Sequence, residues 1–70
     1  MMTEKIKGNV KSFNDTKGYG FIKPENTDQD VFVHATQLAH LGGTLQAGQT
    51  VLFEAIKERK GIEATNIEII

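Results

Sequence analysis

Apolar and polar positions alternate with a period of two in five short stretches of this chain, and no stretch repeats with the period of a helix. In Lys5–Phe13, Ile6 and Val10 take one face while Lys5, Lys7, Asn9 and Lys11 take the other. Phe13 breaks that parity, which predicts a bulge or a strand end near Ser12. Gly8 falls in the inward phase, where another backbone can come close. Asn14–Gly18 has turn chemistry and closes a hairpin onto a second strand, Tyr19–Lys23, which Pro24 ends. A polar loop leads to a third strand, Asp30–His34, followed by a single helical turn at Ala35–Leu38.

His40–Gly48 reads as a glycine-containing loop with Leu45 turned inward. The fourth strand, Gln49–Lys57, places Val51, Phe53 and Ala55 in one phase. After a turn at Glu58–Gly61 the fifth strand runs from Ile62 to Ile69. There Thr65, Ile67 and Ile69 share one phase while Ile62 and Ala64 take the other, so the register stays open. Five short strands and no long helix predict one all-β domain over residues 1–70, an antiparallel sandwich or barrel. Closure into a barrel would remove edges that so small a sheet could not otherwise protect.

Two of these strands carry unusual chemistry. In Lys17-Gly18-Tyr19-Gly20-Phe21-Ile22, Tyr19 and Phe21 share a face with Lys17 and Lys23 in phase beside them. In Val31-Phe32-Val33-His34, Phe32 and His34 share a face opposite the two valines. Ile22, Val31 and Val33 form the better core, so the rings are expected to face out. The competing reading, that the rings are core, leaves the aliphatic phase in water. Outward rings make a platform on which flat ligands stack, and nucleobases are the commonest of these. Gly18 and Gly20, flanking Tyr19, are expected to leave room for a ligand to approach the strand.

Charge sharpens this picture. The net charge is only −1, but residues 1–23 hold five lysines against Glu4 and Asp15, a net of +3. Residues 24–70 carry a net of −4. The lysines cluster where the aromatics begin, which suits a polyanion, although a solvated strand face explains lysines equally well. With no Cys, the chain has no disulfide, and stability must come from packing of a thin core. The polar start of the chain lacks a signal-peptide stretch, and no apolar run approaches a membrane span, so a cytoplasmic location without membrane contact is expected.

Other chemistries find little support. His34 and His40 without Cys or a third ligand make a poor metal site, and no cofactor is implied. His34 reads better as a stacking or hydrogen-bonding ring and His40 as an exposed loop residue. Gly18-Tyr19-Gly20 is not followed by a helix and cannot serve as a nucleotide-binding glycine loop. No Ser/His/acid or Cys-based set can be assembled, so the chain is not expected to be an enzyme. Lys57-Glu58-Arg59-Lys60 is most simply a solvated turn in which Lys60 can also reach a phosphate.

Over essentially its full length the chain resembles the bacterial cold-shock proteins and, more broadly, the cold-shock domain family that includes the Y-box proteins. Lys17 to Ile22 looks like that family's first RNA-binding motif and Val31 to His34 like the second. Gly8, Val10, Lys11, Phe13, Asn14, Gly48-Gln49, Lys60-Gly61 and Asn66 also fall where the family pattern places them. The resemblance implies a five-stranded OB-type barrel that binds single-stranded RNA and DNA. It further implies RNA chaperone activity, melting of mRNA secondary structure, transcription antitermination and a role in cold adaptation. It puts Phe13, Tyr19, Phe21, Phe32 and His34 on the base-stacking face. Lys11, Lys17 and Lys60 fall where phosphates or base edges are contacted, and Asn14 and Asp15 at the edge of the same surface.

The chain departs from the pattern where stacking groups are usual. Ser12 stands in place of a Trp and Ala35 in place of a Phe, and the loop Leu41-Gly42-Gly43-Thr44 is one residue short and lacks an aromatic. Each lost platform is worth roughly 1–3 kcal/mol, so weaker binding than a typical member shows is expected. An alternative from another class is a cold-shock fold kept for protein contact or oligomerisation, its nucleic-acid face eroded. A monomer is the expected state, with a homodimer as the alternative.

Overall fold

A computed structural model describes residues 5–59 and 61–70. The polar segment Met1–Glu4 and Lys60, expected at a phosphate, lie outside the described residues. The strands are β1 (Ile6–Asn14), β2 (Tyr19–Pro24), β3 (Val31–His34), β4 (Thr50–Glu58) and β5 (Gly61–Ile69), with a 3₁₀ helix at Ala35–Leu41 between β3 and β4. They close into a barrel in the order β1-β2-β3-β5-β4. All neighbours are antiparallel except β3 and β5, which meet in parallel at Phe32 and Glu63.

The interior is the aliphatic phase of the strands. Val10, Ile22, Val31, Val33, Val51, Phe53, Ala64 and Ile67 are buried, with Leu38 of the 3₁₀ helix and Leu45 of the following loop closing the ends. No polar or charged side chain is buried among the described residues. Leu45 thus turns inward as expected. Ala55, in phase with Val51 and Phe53, is instead exposed. The β4–β5 hairpin runs on past the point where β1 pairs with β4, and Ala55 lies on that projecting end.

Two bulges set which side chains face the interior. β1 advances from Val10 to Ser12 while β2 advances only from Ile22 to Phe21, leaving Lys11 as the extra residue. Beyond the bulge Ser12 is paired with Phe21 and Asn14 with Tyr19, while Phe13 is paired with Gly20. On β5 the interval between Thr65 and Glu68 faces only the interval between Glu54 and Leu52 on β4. Asn66 takes up that extra residue at a φ of 50°, in the left-handed region that Asn tolerates better than most residues.

The helical segment is longer than the single turn expected, because both its ends are capped. His34 Nδ1 accepts the Thr36 amide at 3.2 Å. At the other end Gly42 adopts φ 84°, and Gly43 N donates to Leu38 O at 2.8 Å. Among the described residues no helix is long and apolar enough to cross a membrane.

Candidate nucleic-acid interface

The outer faces of β2 and β3 bring the rings together. Antiparallel pairing sets Phe21 opposite Phe32 and Tyr19 opposite His34. Phe32 sits at the centre: its ring centroid lies 5.6 Å from Tyr19, 5.9 Å from Phe21 and 6.3 Å from His34. Tyr19 and Phe21 meet edge-on at 6.2 Å with an interplanar angle of 80°. The Tyr19 and Phe32 planes differ by only 31°. Phe21 is 36% exposed, Tyr19 and Phe32 are half-buried, and His34 is exposed. The rings brace one another from below and leave faces to solvent. Such a patch can accept a flat apolar ligand without rearranging.

His34 is held in a defined orientation. Its Nδ1 is engaged by the Thr36 amide and lies 3.1 Å from the Thr36 hydroxyl. In the neutral ring the proton therefore resides on Nε2, available as a donor. His40, expected in a loop, lies on the 3₁₀ helix, where its Nε2 donates to the Ile67 carbonyl at 2.6 Å. It ties the helix to β5 and is remote in role from the platform. Among the described residues no group of three or more His, Cys, Asp or Glu is placed to share a metal ion.

The lysines are less free than the sequence suggests. Lys5 pairs with Glu68 at 2.7 Å, Lys7 with Glu25 at 3.9 Å, Lys11 with Asp30 at 3.0 Å and Lys23 with Asp28 at 3.7 Å. Every one of these pairs is at least partly exposed, so each is weak and exchangeable for a phosphate. Lys17 has no carboxylate partner among the described residues. Its backbone amide donates to Asn14 Oδ1 at 2.9 Å, which fixes the β1–β2 turn.

Phe13, expected on the stacking face, is half-buried, packed on the core and over Gly20, and lines a depression together with Tyr19 and Phe21. One expectation changes. Gly20, expected to leave room for a ligand, is buried. A Cβ there would lie 2.7 Å from both Cα and Cδ1 of Phe13 and closer still to the Ser12 carbonyl oxygen. Its smallness serves the approach of β1 to β2.

The surface also includes residues not singled out from sequence. A depression of about 750 Å³ adjoins Phe21 and Phe32 and is bordered by Asp30, Arg59, Ile62 and Glu63. Asp30 precedes β3 by one residue, so its place beside the platform was readable. Arg59 and Glu63 arrive only because β5 closes against β3.

Residues 6–70 match the family model of the 'Cold-shock' DNA-binding domain. The chain is 52% identical over 64 residues to the cold shock-like protein CspE of Buchnera aphidicola (from Acyrthosiphon pisum), covering 90% of this chain and 93% of the relative. CspE of Escherichia coli K12 gives the same identity and coverage. A cold shock-like protein of Aquifex aeolicus is 46% identical over 66 residues, covering 93% of this chain and 94% of the relative.

Proposed function

The chain belongs to the cold-shock domain family, as a non-enzymatic, nucleic-acid-binding cold-shock protein, and we propose that it is a cytoplasmic, monomeric RNA chaperone that holds single-stranded RNA and DNA on Tyr19, Phe21, Phe32 and His34. The observation that carries this reading is the cluster of mutually braced rings on the outside of a closed barrel. Bases offer a ring only when unstacked, so the face engages single strands and not duplexes. By mass action it draws structured RNA toward the open form without an energy source. Melting of mRNA hairpins, antitermination and a role in cold adaptation would follow from that one equilibrium. Lys17 and Lys60 supply phosphate contacts, Lys11 joins them by leaving Asp30, and Phe13 and Asn14 border the site.

Because Ser12 and Ala35 offer no ring, binding is weaker than in members with aromatics there, by up to about 2–6 kcal/mol if both losses add. Titration with oligothymidine, followed by the fluorescence of Tyr19 (the single Tyr in a chain without Trp), tests the reading. With about three phosphates neutralised on a single strand, affinity should fall about 18-fold between 50 and 200 mM salt. Lys17→Ala should flatten that slope, and Phe32→Ala should weaken binding by about 1–3 kcal/mol. Absence of binding at low salt would overturn the reading. Salt-independent self-association would favour protein contact instead.

A further inference from the structure

The position of Ser12 does more than lack a ring. Ser12 and Asn14 lie on the outer face of β1 beside Phe21 and Tyr19, their register partners. Together with Asp15 and Thr16 they border a depression of about 600 Å³. Tyr19 and Phe21 line the same depression, so the polar side chains lie beside the stacking rings.

The polar groups are held in place by bonds that leave part of each free. Asn14 Oδ1 is used by the Lys17 amide at 2.9 Å, so its Nδ2 remains a donor without a partner among the described residues. Asp15 is fixed through Oδ1 by the Thr44 hydroxyl. Its other carboxylate oxygen has no partner among the described residues. Ser12 Oγ can donate or accept.

From this arrangement we infer that Ser12, Asn14 and Asp15 form a base-reading edge that selects guanine. The inference rests on the single-strand binding proposed above. Guanine alone presents two adjacent donors, N1–H and N2–H, which the free Asp15 oxygen and the remaining lone pair of Oδ1 accept together, with the O6 acceptor beside them for an amide or hydroxyl donor. Adenine and cytosine offer a single amine donor, N6–H or N4–H, and the N1 or N3 lone pair beside it repels the second carboxylate oxygen. Thymine and uracil offer one donor between two carbonyl oxygens, one of which the carboxylate repels. A stacking Trp at position 12 would read no edge.

Oligothymidine heptamers with one dG, dA, dC or deoxyinosine scanned through every position test this. A single guanine avoids multistranded G-rich structures. At one position dG should bind about 5- to 10-fold more tightly than dT, dA or dC. Deoxyinosine, lacking the N2 amine, should lose most of that gain, and Asp15→Asn should remove the ratio of dG to dT. The deoxyinosine comparison leaves the protein unaltered, so it stands even if a variant fails to fold. Binding of the all-thymidine heptamer with no position preferring guanine would overturn this inference alone. A preference that survives both deoxyinosine and Asp15→Asn would do the same. Failure of every heptamer to bind would overturn the nucleic-acid reading with it.

Discussion

Replacing Gly20 by Ala distinguishes room for a ligand from closure of the barrel. The added methyl would lie 2.7 Å from the Phe13 Cα and nearer the Ser12 carbonyl oxygen, roughly an ångström short of ordinary contact. Those atoms are backbone at the β1 bulge and cannot rotate away. Either β1 separates from β2 or the bulge is lost, and both misplace Ser12, Phe13 and the turn that follows. Overpacking a core costs about 1–3 kcal/mol where side chains can yield. A backbone obstacle should cost about 3 kcal/mol or more. A chain of this length has roughly 4–10 kcal/mol in total. With a urea dependence of about 1 kcal/mol per molar, the unfolding midpoint should fall by about 3 M, or the variant should be unfolded in buffer. Urea unfolding followed by far-ultraviolet circular dichroism measures this. Gly8→Ala, whose methyl would meet the Lys23 carbonyl at 2.8 Å and buried side-chain atoms of Ile22 and Phe53 at 3.0 and 3.1 Å, overlaps its neighbours less deeply and should lose less. A Gly20→Ala midpoint within about 0.5 M of wild type, with only nucleic-acid binding impaired, would refute the closure argument.

Two other outcomes are expected. Ser12→Trp adds a ring beside Phe21 on an exposed strand position and should tighten oligothymidine binding by about 1–3 kcal/mol, read by titration at fixed salt, while filling the polar depression and erasing any guanine preference. Phe53→Ala removes the largest fully buried side chain and should destabilise the barrel by about 3–5 kcal/mol in the same urea measurement, leaving little or no folded protein.

Much of the platform was legible along the chain because it is local. Tyr19 and Phe21, and again Phe32 and His34, are two residues apart in single strands. The period-two rule therefore assigns each pair to one face without knowledge of the fold. The valines and Ile22 on the opposite phase identify that face as the outer one, and their burial agrees. The hairpin at Asn14–Gly18 brings β1 against β2 with a short polar turn, so the bulge near Ser12 could also be anticipated from the parity of Phe13. What that bulge does to Phe13 and Gly20 was not legible, since the consequence depends on how close β1 comes to β2.

The residues by themselves determined the number and order of the strands, the side on which the rings lie and the absence of stacking groups at positions 12 and 35. Each of these is settled by neighbours within a few positions. Tertiary structure decided what required distant segments to meet. It paired Lys5, Lys7 and Lys11 with acids from other parts of the chain, so the basic first third presents less free charge than its composition suggests. It also settled β5, where the sequence offered two incompatible phases. The extra residue at Asn66, in the left-handed region, lets Ala64 and Ile67 both face the core although they are three positions apart. A periodicity of two cannot express that, because the switch of phase is favourable only once β4 and the interior are there to receive both side chains.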